Sequence, residues 1–169
     1  MGKIRLSVTS HAPAEKVFTV GREVHDFVDL LPNIKAIHVI NESKDRNYLK
    51  AEWILDLRLP VPHGKLSWLQ EIFWDTEAKS CRFRLSPDNV GIVKCVDGTL
   101  LFKGVPKGTE MIMDMDFRVE HPLVTPMVQR IFDGIMRKNN KALLLGIKKK
   151  AERMKDERKK FNKVKISDT

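Results

Sequence analysis

Three methionines stand at alternate positions, Met111, Met113 and Met115, so on a β-strand all three would face the same way. Their unbranched, polarizable thioethers suit either an irregular apolar ligand or ordinary core filling beneath a helix. The three tryptophans, Trp53, Trp68 and Trp74, fall in two consecutive apolar runs. Planar aromatic walls suit a ring-bearing ligand and fill the inside of a curved sheet equally well. Gln70 and Asn139 are the uncharged polar residues placed to face inward. Once buried, each needs a partner, which a ligand carbonyl or hydroxyl or a bound water could supply. The chemistry these residue types support is recognition of a hydrophobic small molecule.

No constellation for acid–base or nucleophilic catalysis stands beside them. His11, His25, His38, His63 and His121 are scattered, and the chain has no Ser–His–Asp set, HExxH, phosphate-cradling loop or inward carboxylate pair. Glu52 and Asp56 share the outer face of their strand, and Asp114 and Asp116 do the same on theirs. His63, at a Pro-rich turn, and Arg82 remain as contributors to a ring closure. Ring closure can proceed by positioning and desolvating a reactive chain without a strong acid. Catalysis of that kind stands as the alternative to pure binding. Cys81 and Cys95 have no CxxC and no histidine at ligand spacing, which makes them thiols on neighbouring strands, close enough for a cross-strand contact. No metal or cofactor is expected.

The elements that would position these residues follow from the turns. Asn41–Asn47, Pro60–Gly64, Asp75–Lys79, Ser86–Gly91 and Gly104–Gly108 each separate two short alternating apolar runs. Five hairpin turns in succession imply six antiparallel strands, from about Ile34 to Glu120. Before them, Ile4, Leu6 and Val8 mark a first strand over Lys3–Thr9. Pro13 then opens a short helix, Gly21 breaks it, and a second helix over Arg22–Leu31 ends at Pro32. The third strand, Tyr48–Leu59, is apolar on one face and charged on the other, as is the seventh, through Met111–Val119. The fourth is apolar on both faces, and Leu66, Trp68, Gln70, Ile72 and Trp74 are assigned inward. After Pro122 a helical stripe runs through Val124, Val128, Ile131, Ile135, Asn139, Ala142 and Gly146, flanked by Met127, Phe132, Met136, Leu143 and Ile147. The expected fold is α+β: a seven-stranded curved antiparallel sheet around one long C-terminal helix. Residues 1–152 form one domain and residues 153–169 a basic helical extension.

The order strand, two short helices, six-strand meander and long helix is the helix-grip arrangement. Ala12–Phe18, Phe27–Lys35, Val96–Phe102, Gly108–Glu110 and His121–Leu123 carry a closer likeness. Over about residues 3 to 152 the chain resembles the START-related superfamily (SRPBCC), which includes polyketide cyclases and birch-pollen-allergen-like proteins. Within it the sequence is most similar to the polyketide-cyclase and coenzyme-Q-binding branch. The motifs are structural and speak for the fold. The family commonly has an aromatic where this chain has Leu100, a departure that changes pocket shape. The resemblance implies a cavity between sheet and helix for a lipid, an isoprenoid quinone or a polyketide-like compound, and, as the alternative to binding alone, an activity like that of a polyketide cyclase or dehydratase. Its expected lining from the sheet is Trp53, Leu55, Trp68, Gln70, Phe83, Leu100, Met111, Met113 and Met115. The helix would add Ile131, Ile135 and Asn139, with Gly91 and Pro60–Gly64 at the mouth.

Charge concentrates at one end. Of a net +9, the segment Lys148–Thr169 holds ten Lys and Arg against four Asp and Glu. Such a segment is either a solvated helix end or a contact for an anionic membrane surface; with Phe161 as its one aromatic it is less suited to stacking on nucleic acid. No apolar run approaches the roughly 18 residues of a membrane span, and the N-terminus has no apolar leader. The expectation is a cytoplasmic protein.

Overall fold

The computed structural model describes residues 2–56 and 65–167; side chains from residue 154 onward, and those of Gly2, Val24, His25, Phe27 and Lys65, fall outside that description. The chain runs β1 (Gly2–Ser10), α1 (Ala14–Gly21), a 3-10 helix (Val24–Leu30), β2 (Ile34–Glu42), β3 (Tyr48–Asp56), β4 (Lys65–Asp75), β5 (Ser80–Leu85), β6 (Val93–Val105), β7 (Gly108–Val119) and α2 (Pro126–Ser167). All seven strands join one antiparallel sheet in the order β1-β7-β6-β5-β4-β3-β2. The meander is thus β2 to β7, and β1 closes on β7 with Ile4 opposite Met115 and Leu6 opposite Met113. This is the expected α+β helix-grip architecture.

Alternation decides which residues the sheet buries. On β3, Leu49, Ala51, Trp53 and Leu55 are buried while Asp56 is exposed. On β7, Met111, Met113, Met115, Phe117 and Val119 are buried. β4 resolves as assigned: Leu66, Trp68, Gln70, Ile72 and Trp74 face the interior. On the other face, Arg84 reaches Glu71 at 3.2 Å and Lys50 reaches Asp88 at 2.6 Å. Gly98 marks a close approach within the sheet. A Cβ there would collide with the Asp114 carbonyl oxygen and stand 2.5 Å from Phe83 Cζ. The Phe83 ring lies where a side chain at residue 98 would stand.

Helix α1 begins behind Pro13, whose missing N–H costs nothing at a helix start and whose carbonyl accepts from Lys16 and Val17. It buries Val17, Phe18 and Val20, and Phe18 meets Trp74 and Phe102 edge-on at 5.7 and 5.5 Å. The second short helix departs from expectation. It is 3-10 and only seven residues long, and its C-terminal Leu30 is 53% exposed. Pro32 confines the segment to a short span, in which the tighter helix is accessible.

Helix α2 lies principally against β1 and also touches β7, α1 and the 3-10 helix. Among its described residues, Phe132, Met136, Asn139, Leu144, Gly146, Ile147 and Ala151 are buried. Glu152 fastens it to the β1–α1 loop, its Oε1 accepting from the His11 backbone N–H at 3.0 Å and from Ser10 Oγ at 3.3 Å. Among the described residues no helix is long and apolar enough to cross a membrane.

Candidate functional site

Because α2 leans toward β1, the inner faces of β3 to β6 are covered at greater distance, and long side chains span the gap. There a cavity of about 50 Å³ remains. From the sheet it is lined by Trp53, Trp68, Gln70, Ile72, Trp74, Cys81, Phe83, Leu100, Met113 and Met115, and from the helices by Gly21, Met136, Asn140, Leu143 and Ile147. Trp53 and Trp68, directly opposite one another across β3 and β4, lie with parallel rings 6.1 Å apart. Trp68 also meets Phe117 edge-on at 5.6 Å.

The polar atoms in this wall are few and specific. Trp68 Nε1 donates to Gln70 Oε1 at 3.0 Å. Asn140 Nδ2 donates to Met115 Sδ at 3.1 Å, a weak acceptor. Trp53 Nε1 is buried with no acceptor among the described residues. Among the described residues, the lining contains no carboxylate, imidazole, ammonium or guanidinium. The one titratable side chain among the described lining residues is Cys81, whose thiol burial pushes up to about 12.

Of the twelve lining residues expected from the sequence, Trp53, Trp68, Gln70, Phe83, Leu100, Met113 and Met115 border this cavity. Leu55 and Met111 are fully buried in the packed core beside it. The helix residues are displaced. Ile131 is 40% exposed, and Ile135 is half-buried at the edge of the core. Asn139 is buried but committed elsewhere: its Oδ1 accepts from the Asn33 N–H at 3.2 Å, and its Nδ2 donates to the Ile135 carbonyl at 3.0 Å. The inward face is turned by about one residue, which puts Met136, Asn140, Leu143 and Ile147 at the cavity. A residue step is about 100° on a helix, and the apolar stripe of α2 is wide enough to fit either rotation.

Arg82 does not reach the interior. It is exposed on the outer face, 3.9 Å from Asp97. His63 and the Pro60–Gly64 turn lie outside the described residues, and Gly91 is in the β5–β6 turn with φ +118° and open space around it. Cys81 and Cys95 do not meet: Cys81 stands opposite Trp74 and Leu100, Cys95 opposite Arg118, and both are free thiols. Among the described residues no group of three or more His, Cys, Asp or Glu could hold a metal ion.

A larger space of about 600 Å³ lies among outer-face side chains of β1, β5, β6 and β7, including Arg5, Arg82, Asp97, Asp114 and Asp116, together with Ile4, Met115 and, from α2, Arg137. It is an open groove whose walls pair with each other, Arg5 with Asp114 at 3.6 Å and Arg82 with Asp97 at 3.9 Å. Exposed pairs of this kind are solvated and weak. The interior cavity is the better candidate because it withdraws a ligand from water.

The sequence model of the family described as "Polyketide cyclase / dehydrase and lipid transport" matches residues 1–152. The chain belongs to this family. No curated protein matches the sequence. Among solved structures, TTHA0849 from Thermus thermophilus is 20% identical with a TM-score of 0.74, over 90% of this chain and 98% of that one. The Zhui aromatase/cyclase from Streptomyces sp. R1128 is 19% identical with a TM-score of 0.74, over 89% and 93% of the two chains. A START superfamily protein from Mycobacterium smegmatis is 15% identical with a TM-score of 0.66, over 90% and 98%. At these identities the likeness is one of fold. Members of the polyketide cyclase and lipid transport family bind hydrophobic ligands or act as polyketide cyclases.

Proposed function

We propose that the protein binds a hydrophobic small molecule between the sheet and α2, as a carrier or chaperone of a lipid, isoprenoid quinone or polyketide-like compound. The observation that carries this reading is the cavity's wall: aromatic and thioether side chains with a few amide and indole groups, enclosed by both layers of the fold. At about 50 Å³ it holds only a water or two as folded. A ligand pocket is typically about 300 Å³ or more, so binding requires the wall to move. Met113, Met115 and Met136 are the side chains best able to do so, since three rotatable bonds let methionine repack at small cost.

A cyclase reading has less support from the wall chemistry. With a thiol held near 12 as the one titratable group among the described lining residues, a reaction run by these side chains would rest on positioning and water exclusion. Native mass spectrometry of gently purified protein, followed by extraction of what is bound, tests the carrier reading. A stoichiometric apolar compound is the expected result. A bare protein mass that persists after incubation with lipid, quinone and polyketide extracts would overturn it.

A further inference from the structure

We infer that Trp53 Nε1 and the Gln70 amide form an oxygen-binding site in the cavity wall, selecting a ligand that presents a neutral carbonyl group. The inference rests on the reading that the cavity takes a ligand, and it names the chemistry of that ligand.

The orientation of Gln70 is set by its neighbour. An indole N–H can only donate, so the group facing Trp68 Nε1 at 3.0 Å must be the Gln70 carbonyl oxygen. That leaves the two Nε2 hydrogens directed away from Trp68, and the Trp68 contact is the one described hydrogen bond of the Gln70 side chain. Gln70 is opposite Ala51, the inward neighbour of Trp53 on β3, while Trp53 is opposite Trp68. Trp53 and Gln70 are therefore diagonal neighbours on one face, within reach of a common small group. Trp53 is 8% exposed and Gln70 7%, and the Trp53 N–H has no acceptor among the described residues. Buried donors without acceptors are rare and costly in native proteins. Across the cavity Asn140 adds another amide, whose described hydrogen bond goes to the Met115 sulfur.

Among the described residues the wall thus offers donors without a counter-charge. A carboxylate or phosphate would enter such a site with its charge uncompensated. A pure hydrocarbon would leave the donors unpaired. A neutral ketone, quinone or ester oxygen matches both the donors and the apolar remainder.

Fluorene and 9-fluorenone share one shape and differ by a carbonyl, and fluorene-9-carboxylate supplies the anion. Titrating the full chain with each by calorimetry should show fluorenone binding about tenfold tighter than fluorene, and the carboxylate weakest at neutral pH. The carbonyl stretch of bound fluorenone should move to lower wavenumber, as a hydrogen bond requires. In Trp53→Phe, checked for folding by circular dichroism, the preference for fluorenone should fall toward one. Equal binding of fluorenone and fluorene, or a preference that survives Trp53→Phe, overturns the oxygen site and leaves the cavity reading standing. If the variant does not fold, the wild-type infrared band decides, and a band at the free-ketone position overturns the site. Binding of none of the three overturns both readings.

Discussion

Cys81 and Cys95 lie on adjacent strands yet meet different surroundings. Burial alone pushes Cys81 to about 12, against a weak opposing hydrogen bond from the Leu100 backbone. Cys95 is also raised, by partial burial and then by the nearby Asp116, but it is only half-buried. The thiolate is the reactive form, and burial keeps Cys81 a thiol at pH 8. Ellman's reagent should therefore titrate Cys95 first under native conditions, with Cys81 silent until the protein unfolds. Two thiols reacting together in the native state would contradict this placement. At Tyr48 a neighbour, rather than burial, is the main control. Its O–H donates to Glu71 at 2.5 Å, and this bond, with burial and the carboxylate charge behind it, pushes the phenol up to about 12. A phenol whose folded value is raised favours the native state while protonated. Its contribution is complete below the ordinary value of about 10 and is lost as pH climbs from there toward 12. Urea unfolding should show Tyr48→Phe less stable by about 1–2 kcal/mol at pH 7, as expected for a hydrogen bond to a charged group. The gap should close by pH 12, and a gap constant over this range would show that the hydrogen bond is not its source.

Strands and helices were not equally legible in the sequence, for a physical reason. A strand has a period of two, so β3 and β7 allow only one assignment of Leu49, Trp53 or Met113 to the interior. A helix with a wide stripe tolerates rotation. Ile131 and Phe132 are both apolar, and only the packing of α2 against β1 decides that Phe132 is buried and Ile131 is not. The same turn of the helix exchanges Asn139 for Asn140 at the cavity, and nothing in the spacing signals that Asn139 will be taken by the Asn33 backbone. The unpartnered Trp53 donor is likewise invisible before the indoles are placed. Asn139→Leu should cost about 1–3 kcal/mol by unbinding the loop before β2 from α2. Gly98 gives the sheet counterpart. Its absent Cβ is met by backbone, which cannot yield as a flexible side chain would, so Gly98→Ala should destabilise by about 3 kcal/mol. Gly104, on the same strand with nothing within 4 Å of a built Cβ, is its control, and Gly104→Ala should change stability by less than about 0.5 kcal/mol. Similar melting temperatures for the two variants would mean that the β6–β7 spacing is not what requires glycine.

Over the whole molecule, α2 serves two surroundings. Up to Ala151 and Glu152 it is part of the packed body, and the family match also spans residues 1–152. Beyond that the helix continues to Ser167 through a sequence rich in lysine. Residues 148–169 carry +6 of the net +9, and the extension from Arg153 onward carries +4 of it, a high density of charge for so short a segment. Lysines held near an anionic bilayer contribute about 1 kcal/mol each, within a Debye length of about 8 Å at physiological salt. A carrier of apolar cargo gains by meeting the membrane that holds it, and the extension would bring the cavity there without inserting. On this proposal, removing residues 154–169 should shift the melting temperature by less than about 2 °C, because the described ties of α2 end at Glu152. The same truncation should abolish a salt-sensitive association with phosphatidylserine vesicles in flotation assays, while cargo affinity in solution stays unchanged. Vesicle binding that survives truncation would move the contact to the body. Association with RNA but not vesicles would replace the membrane with a nucleic acid, against the single aromatic, Phe161, that the segment offers for stacking. The sharpest discriminator is transfer: with cargo loaded, truncation should slow delivery to anionic acceptor vesicles and leave delivery to neutral ones untouched, since only the first depends on charge.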